Sequence, residues 1–123
     1  MPRIELKLPF PPSVNRLWRV GKGGMFKSKE YQTWLTQAGW VIAIQAKGQK
    51  ISGKYNLTIN AVRPDKRKRD LDNLIKAVSD ALETNDIIDG DHLCEHLEMS
   101  WVIGDFECLV IIEGVEDGQE KQL

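Results

Sequence analysis

The hydrophobic period of this chain switches from two residues to helical spacing and back, and nothing else in the sequence limits the fold as much. Ile4, Leu6 and Leu8 alternate with charged residues, the mark of a half-buried strand over Arg3–Leu8. Pro9-Phe10-Pro11-Pro12 ends it, because proline donates no ladder hydrogen bond. Tyr31, Trp34, Leu35, Ala38, Val41 and Ile42 then recur at helical spacing, predicting a helix from Lys29 to Lys47 with Ser28 as its N-cap. Tyr55, Leu57, Ile59 and Ala61 return to alternation. Leu71, Leu74, Ile75, Val78 and Leu82 form the apolar face of a second helix, starting at Asp70 or Asp72 and closing on a left-handed Asn85. Strands follow at Cys94–Val102 and Phe106–Glu113, joined by a Gly104-Asp105 turn. A short strand at Leu17–Val20 and another at Met25-Phe26 flank Gly21-Lys22-Gly23-Gly24. The expected architecture is α/β of mixed α+β type: a mixed sheet of four or five strands packed against two main helices.

At 123 residues the chain makes one domain. Residues 1–113 form it and 114–123 read as a polar tail. No apolar run approaches the ~20 residues of a membrane span. No secretion signal follows Met1, and Cys94 and Cys108 are too few for a disulfide scaffold, so a cytoplasmic setting is expected. Gly21-Lys22-Gly23-Gly24 lacks the spacing of a P-loop, which argues against a nucleotide cofactor.

The formal net charge of −1 hides a strong polarity. Residues 1–69 carry a net of +12 and residues 70–123 a net of −13. A basic half suits a polyanion, and an acidic half suits cations; mutual neutralisation on folding is the plainer outcome. The two halves meet in Arg63-Pro-Asp-Lys-Arg-Lys-Arg-Asp70-Leu-Asp72-Asn73-Leu-Ile-Lys76. Lys66, Arg67, Lys68 and Arg69 offer phosphate contacts that position a nucleic-acid backbone without reading sequence. Arg16 and Arg19 add to that surface. Asp70 and Asp72 are hard oxygen donors, the kind Mg²⁺ takes together with water and phosphate oxygens. Asp89-Gly90-Asp91 can supply a third acid. A metal beside a basic groove suggests phosphodiester cleavage, with Lys76 stabilising charge on the phosphoryl group.

Each part also has a plainer explanation. Asp70 can simply cap the helix, and Asp72 can face the helix dipole. Lys76 can pair with Asp72 or Asp80. The basic run can be a solvated loop and Asp89–Asp91 an ordinary turn.

The string Arg67-Lys-Arg-Asp70-Leu-Asp72-Asn-Leu-Ile-Lys76-Ala, with Asp80-Ala-Leu82 and the acidic turn behind it, resembles the RusA-type Holliday-junction resolvases. Leu8-Pro-Phe-Pro-Pro-Ser13-Val-Asn15-Arg16 is similar to that family's opening, and the likeness covers nearly the whole chain. The resemblance implies a homodimeric, Mg²⁺-dependent endodeoxyribonuclease, with Mn²⁺ as an alternative ion. Such enzymes cut four-way DNA junctions in paired strands, and they occur in bacteria and their prophages. It places the metal ligands on Asp70, Asp72 and Asp91, the catalytic lysine on Lys76 and a DNA contact on Arg69. Asn73 lies in the same string without a role that the resemblance assigns; its amide could hydrogen-bond and orient a metal ligand. The family commonly has two adjacent aspartates where this chain has Asp89-Gly90-Asp91, so Asp89 stays open as a substitute.

Some residues fall outside this scheme. His92, Cys94 and His96 would share one face of a strand and, with Cys108, could hold zinc; core packing of cysteine is the plainer use. Trp34 and Trp101 suit the core, Trp40 a dimer interface, and Trp18 in its basic surroundings a DNA contact. The competing functions are a branched-DNA-binding protein without catalysis, or a nuclease for flaps or forks.

Overall fold

The computed structural model describes residues 2–116 and 123. The strands are β1 (Arg3–Leu8), β2 (Trp18–Gly21), β3 (Gly24–Lys27), β4 (Tyr55–Ala61), β5 (Cys94–Trp101) and β6 (Cys108–Gly114). The helices are α1 (Lys29–Ala46) and α2 (Ile75–Thr84). Four strands form one mixed sheet in the order β1-β6-β4-β5, and β2 and β3 form a separate antiparallel ribbon. β6 lies antiparallel to both β1 and β4, while β5 runs parallel to β4. A parallel pair needs a crossover, and α2 lies in the connection.

Alternation becomes layers. Ile4, Ile112 and Leu57 stand in register across three strands, as do Leu6, Val110 and Ile59, and then Leu8, Cys108 and Ala61. All are buried. All but Ala61 pack with Trp34, Ala38 and Ile42 of α1 and Ala77, Val78, Ala81 and Leu82 of α2 in one core. Burying each large side chain contributes ~1.5–3 kcal/mol relative to exposure.

Ser28 caps α1 as expected, its Oγ accepting the Tyr31 N–H at 3.1 Å. The Gln45 amide of α1 accepts the Lys7 N–H at 2.7 Å and donates to the Lys7 carbonyl at 3.2 Å. It thereby occupies backbone groups on the outer edge of β1, which would otherwise be open to pairing. The Trp34 indole N–H donates to the Pro9 carbonyl at 3.0 Å and fixes the proline segment on α1.

The second helix differs from expectation at both ends. Leu71–Leu74 is a 3₁₀ turn, and the α-helix starts only at Ile75. Leu71 and Leu74, three apart, share one side of such a turn, and Leu74 is buried. Asn85 is not left-handed (φ −95°); that conformation falls on Asp86 (φ 60°). Asn85 instead donates its side-chain amide to the Ala81 carbonyl at 2.8 Å, closing the helix end itself.

β5 and β6 are not neighbours, because β4 lies between them. The link after β5 crosses the end of β4, where Val102 N–H donates to the Ala61 carbonyl and Val62 N–H to the Glu107 carbonyl. β6 runs on to Gly114, and Val115 N–H donates to the Lys54 carbonyl at 2.9 Å, so the expected tail begins later than 114. Its residues 117–122 lie outside the described residues.

Candidate metal centre and nucleic-acid cleft

The basic loop rests on an aromatic stack. Beyond β4 the Arg63 guanidinium lies 4.8 Å over the Trp101 ring. Trp101 stacks on Phe10 at 6.2 Å, and Arg69 lies 5.5 Å over Phe10. Trp101 is thus half-buried between a cation and a ring, not in the strand core. Cation–π contacts of this kind contribute roughly 0.5–1 kcal/mol at exposed sites.

Asp65 orders the loop further. It accepts from the Arg67 N–H at 3.0 Å and from the Arg67 Nε at 2.9 Å, and it pairs with Arg69 at 2.9 Å. Its hydrogen bond with Arg69, followed by that with the Arg67 backbone, holds the carboxyl well below the usual carboxylate range. Arg67 and Arg69 are therefore oriented in advance, while Lys66 and Lys68 remain without ion pairs.

A cleft of about 950 Å³ opens beside this loop, lined by Arg16, Lys29, Arg67, Lys68, Arg69, Asp70 and Asn73 among others. Lys66 and Arg19 lie outside its lining.

Asp70 sits at the mouth of the 3₁₀ turn in extended backbone, and its side chain makes no capping hydrogen bond. Asp70 thus takes the N-cap position expected of it, but without the capping bond that would account for its carboxylate. Among the described residues the carboxylates of Asp70, Asp72 and Asp91 have neither hydrogen-bond nor ion-pair partners, and of the three only Asp70 shares the cleft lining with the basic loop. Asp91 is approached only at its backbone, where its N–H donates to Glu83 Oε1 at 3.2 Å. Asp89 is different. Its Oδ1 pairs with Lys50 Nζ at 2.8 Å and its Oδ2 accepts the Gly53 N–H at 2.9 Å. Lys50, then Gly53, holds the Asp89 carboxyl below its ordinary value. That carboxylate ties two loops together, which leaves Asp91 as the free acid of the turn.

Lys76 points to Asp80, with Nζ 3.0 Å from Oδ1. The other oxygen of Asp80 accepts the Tyr31 hydroxyl at 2.6 Å. Asp80 thus joins α1 to α2 and fixes the lysine between them. Lys76 is raised above its ordinary pKa by Asp80 first, with Asp91 and Glu83 adding to the field. It carries a full positive charge at neutral pH.

Among the described residues no three His, Cys, Asp or Glu side chains stand gathered as a ready ion-binding cluster. The donor chemistry nevertheless fits a hard divalent cation, since unpaired carboxylates are the oxygen ligands such ions take. The His92–Cys94–His96 arrangement fails on geometry. His92 lies in a 3₁₀ turn before β5, and the bulge opposite Tyr55/Asn56 breaks the alternation after Cys94. Cys94 pairs with Tyr55 at one end of β4, and Cys108 with Ala61 at the other.

The family model described as endodeoxyribonuclease RusA matches residues 9–112. The chain belongs to the RusA endodeoxyribonuclease family. A "Crossover junction endodeoxyribonuclease RusA" of Aquifex aeolicus (strain VF5) is 38% identical to it over 96 residues, 76% of this chain and 75% of that one. The protein of that name from Escherichia coli (strain K12) is 35% identical over 82 residues, 67% of this chain and 68% of its own. One from Enterobacteria phage 82 matches with the same identity and coverage.

In this RusA-family chain the structure puts Asp70, Asn73, Arg16 and three of the four loop cations on one cleft, and brings Lys76 into the field of Asp91. Tyr31 and Glu83 were not singled out as site residues by sequence reasoning, whereas Asp80 was offered there as an ion-pair partner of Lys76 by its spacing of four, and that pair is present. Tyr31, 49 positions from Asp80, gave no such signal.

Proposed function

We propose that the chain is a divalent-metal-dependent endodeoxyribonuclease that resolves four-way DNA junctions by paired cleavage. Family membership supports the reaction class. The observation that carries the site is the unpaired Asp70 carboxylate on a cleft lined with cations.

Each residue then has a task. Lys66, Arg67, Lys68 and Arg69, with Arg16 and Arg19, take backbone phosphates. The Asp65 clamp spares Arg67 and Arg69 part of the ordering cost at binding. Asp70, Asp72 and Asp91 would hold Mg²⁺, or Mn²⁺ in its place. When bound, that ion supplies polarisation of a phosphoryl oxygen and a lowered pKa for water. Lys76 presents a fixed ammonium to the charge that develops on the phosphoryl group, the setting in which a preorganised cation counts most. Asp80 and Tyr31 position that lysine. Asn73, on the cleft wall, would orient a neighbouring acid.

A C2 homodimer would offer two equal sites to the two equivalent strands of a roughly two-fold junction. No helix among the described residues is long and apolar enough to cross a membrane, and the phage relative supports a phage or prophage setting within the bacterial cytoplasm.

The test is cleavage of a labelled synthetic junction and a matched linear duplex, with Mg²⁺ or with EDTA. Paired cuts confined to the junction and abolished by EDTA are expected. Junction binding without cleavage in any divalent ion would leave a DNA-binding module.

A further inference from the structure

The ribbon of β2 and β3 is unlike the rest of the molecule. Every residue in both strands is exposed, including Val20 (85%), Met25 (64%) and Phe26 (51%). A lone two-stranded ribbon is marginal in water. This one is firm only at its root, where Leu17 is fully buried and the Ser28 N–H donates to the Leu17 carbonyl at 2.9 Å. The Ser28 hydroxyl also donates to the Arg16 carbonyl at 2.6 Å, and Trp18 meets Tyr31 edge-on at 6.4 Å. The tip turns through Gly23 (φ 89°) and Gly24 (φ 131°), conformations that suit glycine. Four strand residues carry it about 13 Å out from the root.

Register sorts its side chains. Val20 faces Met25 on one side, and Arg19 faces Phe26 on the other. Both sides thus combine apolar and, at the edges, cationic groups. From Val14 to Lys29 there are five basic residues and no acid. None of the five is ion-paired among the described residues. Arg16 and Lys29, at the root, line the same cleft as Asp70.

We propose that this ribbon enters the open centre of a branched DNA duplex. Val20, Met25 and Phe26 would meet unstacked base faces there, while Arg19, Lys22 and Lys27 hold the surrounding phosphates. The inference rests on the junction-cleaving function proposed above and names the part that recognises the branch. The unbroken positive charge matches a polyanion, and exposed apolar wedges are what proteins insert where bases part. An intact linear duplex keeps its base faces stacked, so the apolar residues distinguish branched from linear DNA while the cations serve both. Continuity with the cleft carries a bound strand from the branch towards Asp70.

The test is the double variant Val20→Ser/Met25→Ser, with binding to a four-way junction and to linear duplex measured in EDTA. Circular dichroism melting checks folding, and Val20→Asn alone repeats the measurement at the most exposed position. The expected result is a roughly tenfold fall in the ratio of junction to duplex affinity, with duplex affinity unchanged. Fluorescence of 2-aminopurine at the branch point rises with the parent protein and less with the variants. An unchanged ratio overturns the inference. So does a change of oligomeric state on size exclusion, which would make the ribbon a contact between copies. Failure of the parent protein to cut junctions with Mg²⁺ would defeat the nuclease function instead, and leaves this binding comparison intact.

Discussion

Asp80 decides what Lys76 can do. One carboxylate oxygen holds the ammonium at 3.0 Å and the other accepts the buried Tyr31 hydroxyl at 2.6 Å. Asp80→Ala leaves that hydroxyl without its partner, a loss of about 1–3 kcal/mol in chemical unfolding. It also releases Lys76, so kcat for junction cleavage falls while KM stays near the parent value. If both constants remain at the parent level, Asp80 is a structural bridge only. The two tyrosines make an opposed pair. Tyr31→Phe removes a bond and destabilises by about 1 kcal/mol. Tyr55 has a buried hydroxyl with no partner among the described residues, so Tyr55→Phe is neutral or stabilising. Denaturant midpoints of the two variants on opposite sides of the parent would bear this out; a clear loss for Tyr55→Phe would contradict it.

At the scale of elements, the basic loop is a clamp with two populations of cation. Lys68 lines the cleft without an ion pair, while Arg69 is tied to Asp65 and Phe10. Lys68→Ala is expected to weaken junction and duplex binding alike and to lower the slope of log Kobs against log salt by about 0.9. A sequence-dependent loss with an unchanged slope would mean that Lys68 reads bases. The elements that were legible in the chain are those with a clean period. β1, β4 and α1 stand where alternation and helical spacing put them, and Ser28 caps as its residue type suggests. The start of α2 was not legible, because Leu71 and Leu74 satisfy a 3₁₀ turn and an α-helix equally well. Pairing of β5 with β4 rather than β6 is long-range, and no local residue announces it. In the site, the Asp70–Lys76 string was conspicuous. That the Asp89 carboxylate is paired while that of Asp91 is not needed the position of Lys50, and the bond from Tyr31 to Asp80 needed the packing of α1 on α2.

For the whole molecule, part of the alkaline stability comes from the only two tyrosines in the chain. Burial raises Tyr31 well above the ordinary value, and its bond to Asp80 adds to this. Burial first, then the charges of Cys94, Asp91 and Glu83, pushes Tyr55 up to about 12. Both folded values lie above the unfolded value near 10. Their contribution is thus fully present below about pH 10 and is lost as pH rises from there through the folded values. Ultraviolet titration is expected to show no tyrosinate at pH 10, followed by late ionisation that coincides with loss of structure. Ordinary titration of either tyrosine near pH 10 in the folded protein would contradict the packing of its hydroxyl. The most direct test of the central claim is junction cleavage by the parent protein and by Asp70→Asn, run side by side with Mg²⁺. The account predicts paired cuts by the parent, none by the variant, and junction binding by the variant at least as tight, since a repelling charge has gone. Cleavage by Asp70→Asn at the parent rate would remove Asp70 from the reaction and with it the metal centre proposed here.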